Sequence, residues 1–184
     1  MRTLSQHIFD LVQNSIVAGA KNIMVIVEED ILDNLIKVTI EDDGYGIKPE
    51  YISKVKNTFF TTRPKTNRHV GLGLSLLDAA CKRSGGKLTI DSKYRHGTKM
   101  IFTMEYKNID RPPLGDLPDL FTSLLLSTVE NNIIWTLGHV FNGRKYRLKN
   151  RSVKDELNIF SYNEPGVRER LYRLIVEKEQ VLHP

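Results

Sequence analysis

Ile-Lys-Val-Thr-Ile-Glu-Asp-Asp-Gly-Tyr-Gly-Ile, residues 36–47, carries the strongest structural signal in this chain. Its first residues alternate between apolar and polar, which is the period of a half-buried strand. The strand runs into Asp42, and glycines at 44 and 46 let a backbone approach a flat ligand without Cβ clashes. A carboxylate in this position can accept a hydrogen bond from an exocyclic amine such as that of adenine. An ordinary Asp-Gly turn is the alternative, and this stretch alone does not decide between the two.

An amphipathic helix is predicted upstream, over residues 3–18. Thr3 and Gln6 have the spacing of a capping box, and apolar residues recur at helical intervals on one face. Asp10 and Asn14 follow each other by four residues on the flank of that face, where they can line a cleft. A carboxamide oxygen suits Mg²⁺ bridging phosphates, and a carboxylate one turn earlier can orient or deprotonate a nucleophile. A solvated helix flank is the alternative, and it is the better interpretation of this pair taken alone.

A basic loop and a glycine-rich helix start follow downstream. Residues 59–65 read Phe-Phe-Thr-Thr-Arg-Pro-Lys, and residues 69–77 read His-Val-Gly-Leu-Gly-Leu-Ser-Leu-Leu. Glycines just before a helix expose amide donors to an anion, and the helix dipole adds to the attraction. Arg63, Lys65 and Arg68 could reach phosphates from such a loop. Gly-x-Gly is a weak signal by itself, so a solvated charge cluster before an unremarkable helix stays open as the alternative.

Together the three segments have the order and spacing of an ATP site that is not a P-loop. The chain resembles the GHKL superfamily of gyrase, heat-shock chaperone, histidine kinase and MutL ATPases, which share the Bergerat ATP-binding fold. The resemblance covers about the first 107 residues. The first helix is similar to the MutL version of its motif, whereas the basic loop and Gly-Leu-Gly-Leu-Ser are similar to the histidine-kinase version. Ser-Gly-Gly-Lys-Leu-Thr-Ile-Asp-Ser at 84–92, followed by Gly97-Thr98, continues the kinase-like pattern.

The resemblance implies a role for each matching residue and implies ATP and Mg²⁺ as cofactors. Asp10 would be the catalytic carboxylate, Asn14 the metal ligand as well as an ATP contact, and Asp42 the reader of adenine. The other implied ATP contacts are Gly44, Gly46, Ile47, Thr61, Thr62, Arg63, Lys65, Val70, Gly71, Leu72, Gly73, Leu74 and Thr98. By the same resemblance, those at 61–65 would belong to a lid over the nucleotide, and those at 71–74 would hold phosphate.

One departure from the family concerns Asp10. Members that hydrolyse ATP usually carry Glu at this position, and Asp withdraws the carboxylate by roughly 1.5 Å. A displacement of about that size can cost a factor of a hundred in rate. MutL-type enzymes have a lysine later in the sequence that contacts phosphate, and no lysine of this chain clearly corresponds to it. We therefore expect ATP binding, with turnover that is slow or dependent on a partner.

The length of the chain and the proline-rich stretch after residue 107 predict that the protein has two parts. Residues 1–107 form the ATP-binding domain, 108–118 a Pro-rich linker, and 119–184 a small α+β domain of helix, β-hairpin and helix. The expected fold class is an α/β two-layer sandwich with that C-terminal addition. Its hairpin turn is Asn142-Gly143, the strongest short hairpin signal there is. Docking or dimerisation is the expected role of this part. The predicted helices span 3–18, 49–56, 72–84, 119–127 and 167–181, and the predicted strands span 22–29, 35–41, 87–92, 99–106, 133–141 and 144–148.

Composition limits the partners and the cellular location that we expect for this protein. The formal net charge is +5 over 184 residues, which is too small to indicate a nucleic-acid-binding domain. The sequence has no membrane-spanning run and no signal-peptide core at its start, so we expect a cytoplasmic protein without a membrane anchor. One cysteine, Cys81, rules out an internal disulfide. His7 and His139 are expected to be packed histidines with satisfied hydrogen bonds; for His7, one turn before Asp10, a role as phosphoacceptor is the alternative.

Three classes of function remain open. The first is a kinase-like phosphotransferase; because the chain starts at the first helix of the site, its acceptor would lie on a partner protein. The second is a slow MutL-like or chaperone-like ATPase whose nucleotide state changes association, including homodimerisation. The third is a nucleotide-gated binding module without significant turnover. The kinase-like loop favours the first class. The MutL-like motif of the first helix favours the second class, and Asp10 in place of Glu favours the third.

Overall fold

The computed structural model describes residues 2–52, 73–127 and 132–183. Its helices are α1 (Leu4–Val17), α2 (Pro49–Ile52), α3 (Gly73–Arg83), α4 (Leu117–Leu126), α5 (Asn150–Leu157) and α6 (Val167–Leu182). Its strands are β1 (Asn22–Asp30), β2 (Leu35–Asp42), β3 (Leu88–Lys93), β4 (Gly97–Glu105), β5 (Ile134–Phe141) and β6 (Arg144–Lys149). The predicted helices and strands that fall on described residues are present within a few positions at each end. Only α5 was not expected.

All six strands form one sheet in the order β3-β4-β2-β1-β5-β6. Neighbouring strands are antiparallel except for β1 and β5, which run parallel with Asn22 opposite Ile134. The predicted hairpin joins β5 to β6 through Asn142 and Gly143, both with positive φ. It extends the edge of β1 instead of forming a sheet of its own.

Helices α1, α3, α4 and α6 form a layer on one face of this sheet. Helix α1 contacts both α3 and α4, and α4 contacts α6. Their apolar sides share one core with alternate residues of the strands, including Val25 of β1, Phe102 of β4 and Trp135 of β5. The opposite face carries cross-strand ion pairs, such as Lys37 with Glu28 at 2.8 Å. The predicted α/β two-layer sandwich is confirmed.

The segment between β4 and α4 packs against the start of α1. Leu4 and Ser5 donate their backbone N–H groups to the carbonyls of Pro113 and Leu114, each at 2.9 Å. The predicted linker thus contacts the ATP-binding part, and the strands before and after it belong to one sheet. A division at 108–118 into separately folding units remains a prediction. No described helix has the length and apolarity that crossing a membrane requires.

Candidate ATP-binding site

Helix α1 supplies one wall of the candidate site. The predicted capping box is present: Thr3 accepts from the backbone of Gln6, whose side chain accepts from the backbone of Thr3. The buried apolar side of the helix fixes its rotation against the sheet. Ser15, which is 2% exposed, therefore faces the end of β2. Sequence reasoning did not assign a role to this serine.

Asp42 ends β2 beside α1, and its carboxylate is held at both oxygens. Ser15 donates from Oγ to Asp42 Oδ2 at 2.6 Å, and the backbone N–H of Gly44 donates to Oδ1 at 2.9 Å. The side chain is only 7% exposed. Each carboxylate oxygen can accept more than one hydrogen bond, so the fixed group keeps capacity for a ligand's donor.

The turn after Asp42 is clamped between α1 and the β3–β4 hairpin. Tyr45 donates its N–H to the carbonyl of Ala18 at 2.8 Å and accepts from the N–H of Arg95 at 2.7 Å. Gly46 has φ +64°, and a Cβ there would lie 2.3 Å from the carbonyl oxygen of Lys93. Glycine is therefore required at 46 by backbone conformation and by space together.

Hydroxyl groups extend the polar surface from Asp42 to the neighbouring strand. Thr98 is the register partner of Asp42 across β2 and β4. Its Oγ1 lies 2.9 Å from Ser92 Oγ, which accepts from the N–H of Ile47 at 2.8 Å. The structure thus brings together four predicted positions, at 42, 46, 47 and 98. It adds Ser92, which the sequence alone did not single out.

Asp43 has a structural task next to the site. It accepts from the backbone N–H groups of Lys21 and Asn22 at 2.7 and 2.9 Å, and from the Asn22 side chain at 2.7 Å. Burial raises the pKa of this carboxyl, but these hydrogen bonds together hold it below its usual value. The two adjacent aspartates thus differ in role: Asp43 ties the turn to β1, and Asp42 faces α1.

Asp10 and Asn14 lie on one flank of α1, as their spacing predicts. Asp10 pairs with Arg2, whose Nη1 is 2.5 Å from Asp10 Oδ2, and both side chains are about half exposed. Asn14 is exposed, so its carboxamide oxygen can meet a ligand. An oxygen donor of this type fits Mg²⁺.

His7, one turn before Asp10, is buried, and its Nδ1 has no hydrogen-bond partner among the described residues. Burial is the main reason that the pKa of His7 is lowered, with a smaller contribution from the positive charge of Arg2. His7 is thus a packed histidine with one ring nitrogen unsatisfied in the described part of the chain, whereas the sequence analysis expected its hydrogen bonds to be satisfied.

The predicted phosphate end falls only partly on the residues that are described. Gly73 and Leu74 form the first turn of α3, and a Cβ on Gly73 would meet no atom of the described residues within 4 Å. The remaining predicted contacts lie outside the described residues: Thr61, Thr62, Arg63, Lys65, Val70, Gly71 and Leu72. Their roles remain predictions.

Comparison with known proteins identifies the family of the first part of the chain. Residues 1–108 match the family described as histidine kinase-, DNA gyrase B- and HSP90-like ATPase. The chain belongs to this family. It contains a GHKL-type ATP-binding domain of the histidine kinase-like kind, as the sequence resemblance indicates. Asp42, its glycine turn and α1 all lie within the matched residues.

Individual relatives of this GHKL domain are much longer proteins. The non-motile and phage-resistance protein of Caulobacter vibrioides is 29% identical over 117 residues, covering 60% of this chain and 14% of that protein. Histidine protein kinase DivJ of the same species is 29% identical, covering 53% and 17%. Sensor kinase CckA of Brucella abortus is 35% identical, covering 41% and 8%. The chain spans less than a fifth of the length of each of these relatives.

A solved structure, the N-terminal domain of a DNA repair protein, shares the fold of the GHKL domain with a TM-score of 0.57 and 17% identity. The match covers 91% of this chain and 58% of that one. Because it covers so much of this chain, the shared fold extends beyond residue 108. At this identity the likeness concerns the fold alone.

Proposed function

We propose that this protein binds Mg²⁺-ATP against Asp42 and α1 and transfers the γ-phosphate to a partner protein, as a kinase-like phosphotransferase. The observation that carries the proposal is the buried Asp42 carboxylate, fixed by Ser15 and by the N–H of Gly44. ATP and Mg²⁺ are available in the cytoplasm, which is the compartment that this function requires.

The chemistry of Asp42 supports a preference for adenine over guanine. An ionised carboxylate is only an acceptor, so it pairs with the exocyclic amine of adenine and repels the carbonyl oxygen of guanine. Leaving a buried acceptor unpaired costs about 1–3 kcal/mol. We therefore expect ATP to bind roughly 10- to 100-fold more tightly than GTP.

The triphosphate would extend from this base site along α1. Asn14 offers a carboxamide oxygen to the metal ion, and Asp10 lies one turn earlier on the same flank. Lid residues at 61–65 and the glycines at 71 and 73 would complete the phosphate contacts. Residues 119–184 would dock the phosphoacceptor or a second copy of the chain.

The ion pair between Arg2 and Asp10 supports a second candidate, a nucleotide-gated binding module. Arg2 occupies one oxygen of the Asp10 carboxylate, which leaves that oxygen unavailable to orient a water molecule for attack. Nucleotide binding would then regulate association with a partner without significant turnover. Slow ATP hydrolysis is an intermediate case, in which ATP is turned over but the phosphate goes to water.

Incubation with γ-labelled ATP and Mg²⁺ tests these candidates, with and without fractionated extract of the source cells. Label on a protein band supports phosphotransfer, and free phosphate that disappears in Asp10→Ala supports hydrolysis. Tight ATP binding with neither product supports the binding module. Asp42→Asn serves as the control that removes nucleotide-dependent signal, and binding of ATP by this variant with unchanged affinity would overturn the base assignment.

A further inference from the structure

A second polar cluster lies at the far end of β1 from Asp42 and is centred on His139. His139 lies on β5 with a fully buried side chain, and its Nε2 is 3.1 Å from Glu29 Oε1 on β1. Its Nδ1 is 2.9 Å from Glu179 Oε2 on α6. His183, immediately after α6, places Nε2 3.7 Å from the same Glu179 oxygen. His139 is buried and hydrogen-bonded at both ring nitrogens, as expected of a packed histidine, but both of its partners are carboxylates.

The hydrogen bonds of this cluster orient His139. Glu179 accepts from Nδ1 and also from the hydroxyl of Tyr146 on β6, so its carboxylate is held on two sides. The Nε2 atom of the ring then faces Glu29, and the His183 ring lies beside it with a centroid distance of 5.9 Å. Metal-binding histidines commonly show this arrangement, in which a carboxylate holds the other ring nitrogen and fixes the ring.

We propose that Glu29, His139 and His183 bind a divalent transition-metal ion of the zinc type, with Glu179 and Tyr146 as positioning residues. One ligand atom from each of the three lies within 4.8 Å of the other two. A tetrahedral zinc site with bonds of about 2.0–2.1 Å brings its ligands to roughly 3.4 Å apart. His183 is 42% exposed and follows the last helical residue, so its side chain can rotate to close that difference.

The chemical types of the three proposed ligands determine which metal ions the site would prefer. Two imidazoles and one carboxylate form the three-ligand set of open zinc sites, in which a water occupies the fourth position. Calcium and magnesium prefer oxygen ligands only. The metal would replace the proton between His139 Nε2 and Glu29, and the carboxylates of Glu29 and Glu179 would balance its two positive charges.

A bound ion would join three distant parts of the chain. Glu29 ends β1, His139 lies on β5, and His183 terminates α6, so coordination would hold the last turn of α6 on the sheet. Since the site is absent from an unfolded chain, binding free energy adds to folding stability. The exposed side of His183 provides the entry path.

Zinc titration of EDTA-treated full-length protein, without nucleotide, tests the proposal. Calorimetry is expected to give one tight site per chain, and Co²⁺ as a spectroscopic probe should show the visible bands of a four-coordinate nitrogen and oxygen site. Zinc at about a hundred times its dissociation constant should raise the melting temperature by roughly 5–10 °C. EDTA should reverse the shift.

Matched variants identify the ligands. His183→Ala changes a half-exposed side chain and should abolish the tight site while leaving the fold intact, whereas His96→Ala, at an exposed histidine in the β3–β4 turn, should leave it unchanged. Tyr146→Phe should weaken affinity roughly 10- to 100-fold through the positioning of His139. Asp42→Asn should keep full zinc affinity, which separates this site from the nucleotide site. Absence of tight binding, or tight binding that survives His183→Ala, would overturn the proposal.

Discussion

Ser15 donates a 2.6 Å hydrogen bond from Oγ to Oδ2 of Asp42, and both side chains are buried. This bond fixes a charged acceptor at the edge of the candidate adenine site. A hydrogen bond to a charged group contributes about 1.5–3 kcal/mol. Ser15→Ala should therefore lower ATP affinity roughly 10- to 100-fold, as measured by calorimetric titration with Mg²⁺-ATP.

Ser5→Ala is the matched control for that experiment. Ser5 is a buried serine on the same helix, but its hydroxyl donates to the carbonyl of Leu114 at 2.7 Å, away from Asp42. We expect it to reduce stability while ATP affinity stays as in the wild type. Equal losses of affinity in both variants would mean that Ser15 acts through helix packing alone.

The neighbouring aspartates at 42 and 43 should respond differently to the same substitution. Asp42→Asn turns one acceptor oxygen into a donor and should abolish detectable ATP binding while circular dichroism shows an intact fold. Asp43→Asn weakens the ties to Lys21 and Asn22, so it should lower the melting temperature but retain ATP binding. Retained affinity in the first variant, or lost affinity in the second at a temperature where it is folded, would contradict the assignment.

Alanine substitutions at Gly46 and Gly143 distinguish the effect of backbone strain from that of a steric clash. Both have positive φ, but a Cβ on Gly46 would lie 2.3 Å from the Lys93 carbonyl oxygen, whereas a Cβ on Gly143 would meet nothing within 4 Å in the part of the chain that the structure describes. Gly143→Ala should cost about 1–2 kcal/mol of unfolding free energy from left-handed strain. Gly46→Ala should cost more than this in urea denaturation and should also impair ATP binding. Similar losses of stability in the two variants would show that the turn relaxes around the added methyl group.

Asp10 and Arg2 provide a test of turnover. Asp10→Asn should leave the dissociation constant of ATP within about twofold and lower phosphate release or transfer roughly a hundredfold, because it removes the carboxylate that handles the proton. Arg2→Ala should change stability by less than about 1 kcal/mol, since the ion pair is exposed. If Arg2 restrains Asp10, this variant should also raise turnover. Unaltered turnover in Asp10→Asn would exclude Asp10 as the catalytic carboxylate.

His7 should make the protein less stable in mild acid. Its pKa is lowered in the folded state, so below its ordinary value of about 6.5 the unfolded chain binds the proton more readily. Stability is lost as the pH falls through that value toward the folded pKa. Urea unfolding at about pH 7.5 and about pH 5.5 should show a smaller difference for His7→Gln than for the wild type. An equal difference in both proteins would assign the acid sensitivity to other groups.

The sequence predicts local features of this molecule well because they depend on neighbouring residues. The capping box of Thr3 and Gln6 and the Asn142-Gly143 turn both follow from short-range chemistry. The pairing of β5 with β1 joins segments distant in sequence, and no local pattern specifies which edge the hairpin takes. Helix α5 was missed because its eight residues, Asn150–Leu157, include only two apolar ones, Val153 and Leu157, which are too few to mark a helix by themselves.

The same limit applies to the polar sites. Asp42 and its glycines are recognisable as a sequence motif. Ser15 is recognised as part of the site only from the orientation of α1, which places it beside the end of β2. His139 sits between carboxylates supplied by β1 and α6, at positions 29 and 179. Such a grouping is a property of the assembled sheet and helix layer, which one sequence does not display.

The parallel contact between β1 and β5 has a consequence for how the chain reaches its native state. Partners such as Asn22 and Ile134 are separated by more than a hundred positions, so closing this contact is entropically costly and should be slow. Until β5 is synthesised and docks, the outer edge of β1 has unpaired backbone groups and can recruit a strand from another molecule. Nascent or truncated chains that end before β5 should therefore be prone to self-association.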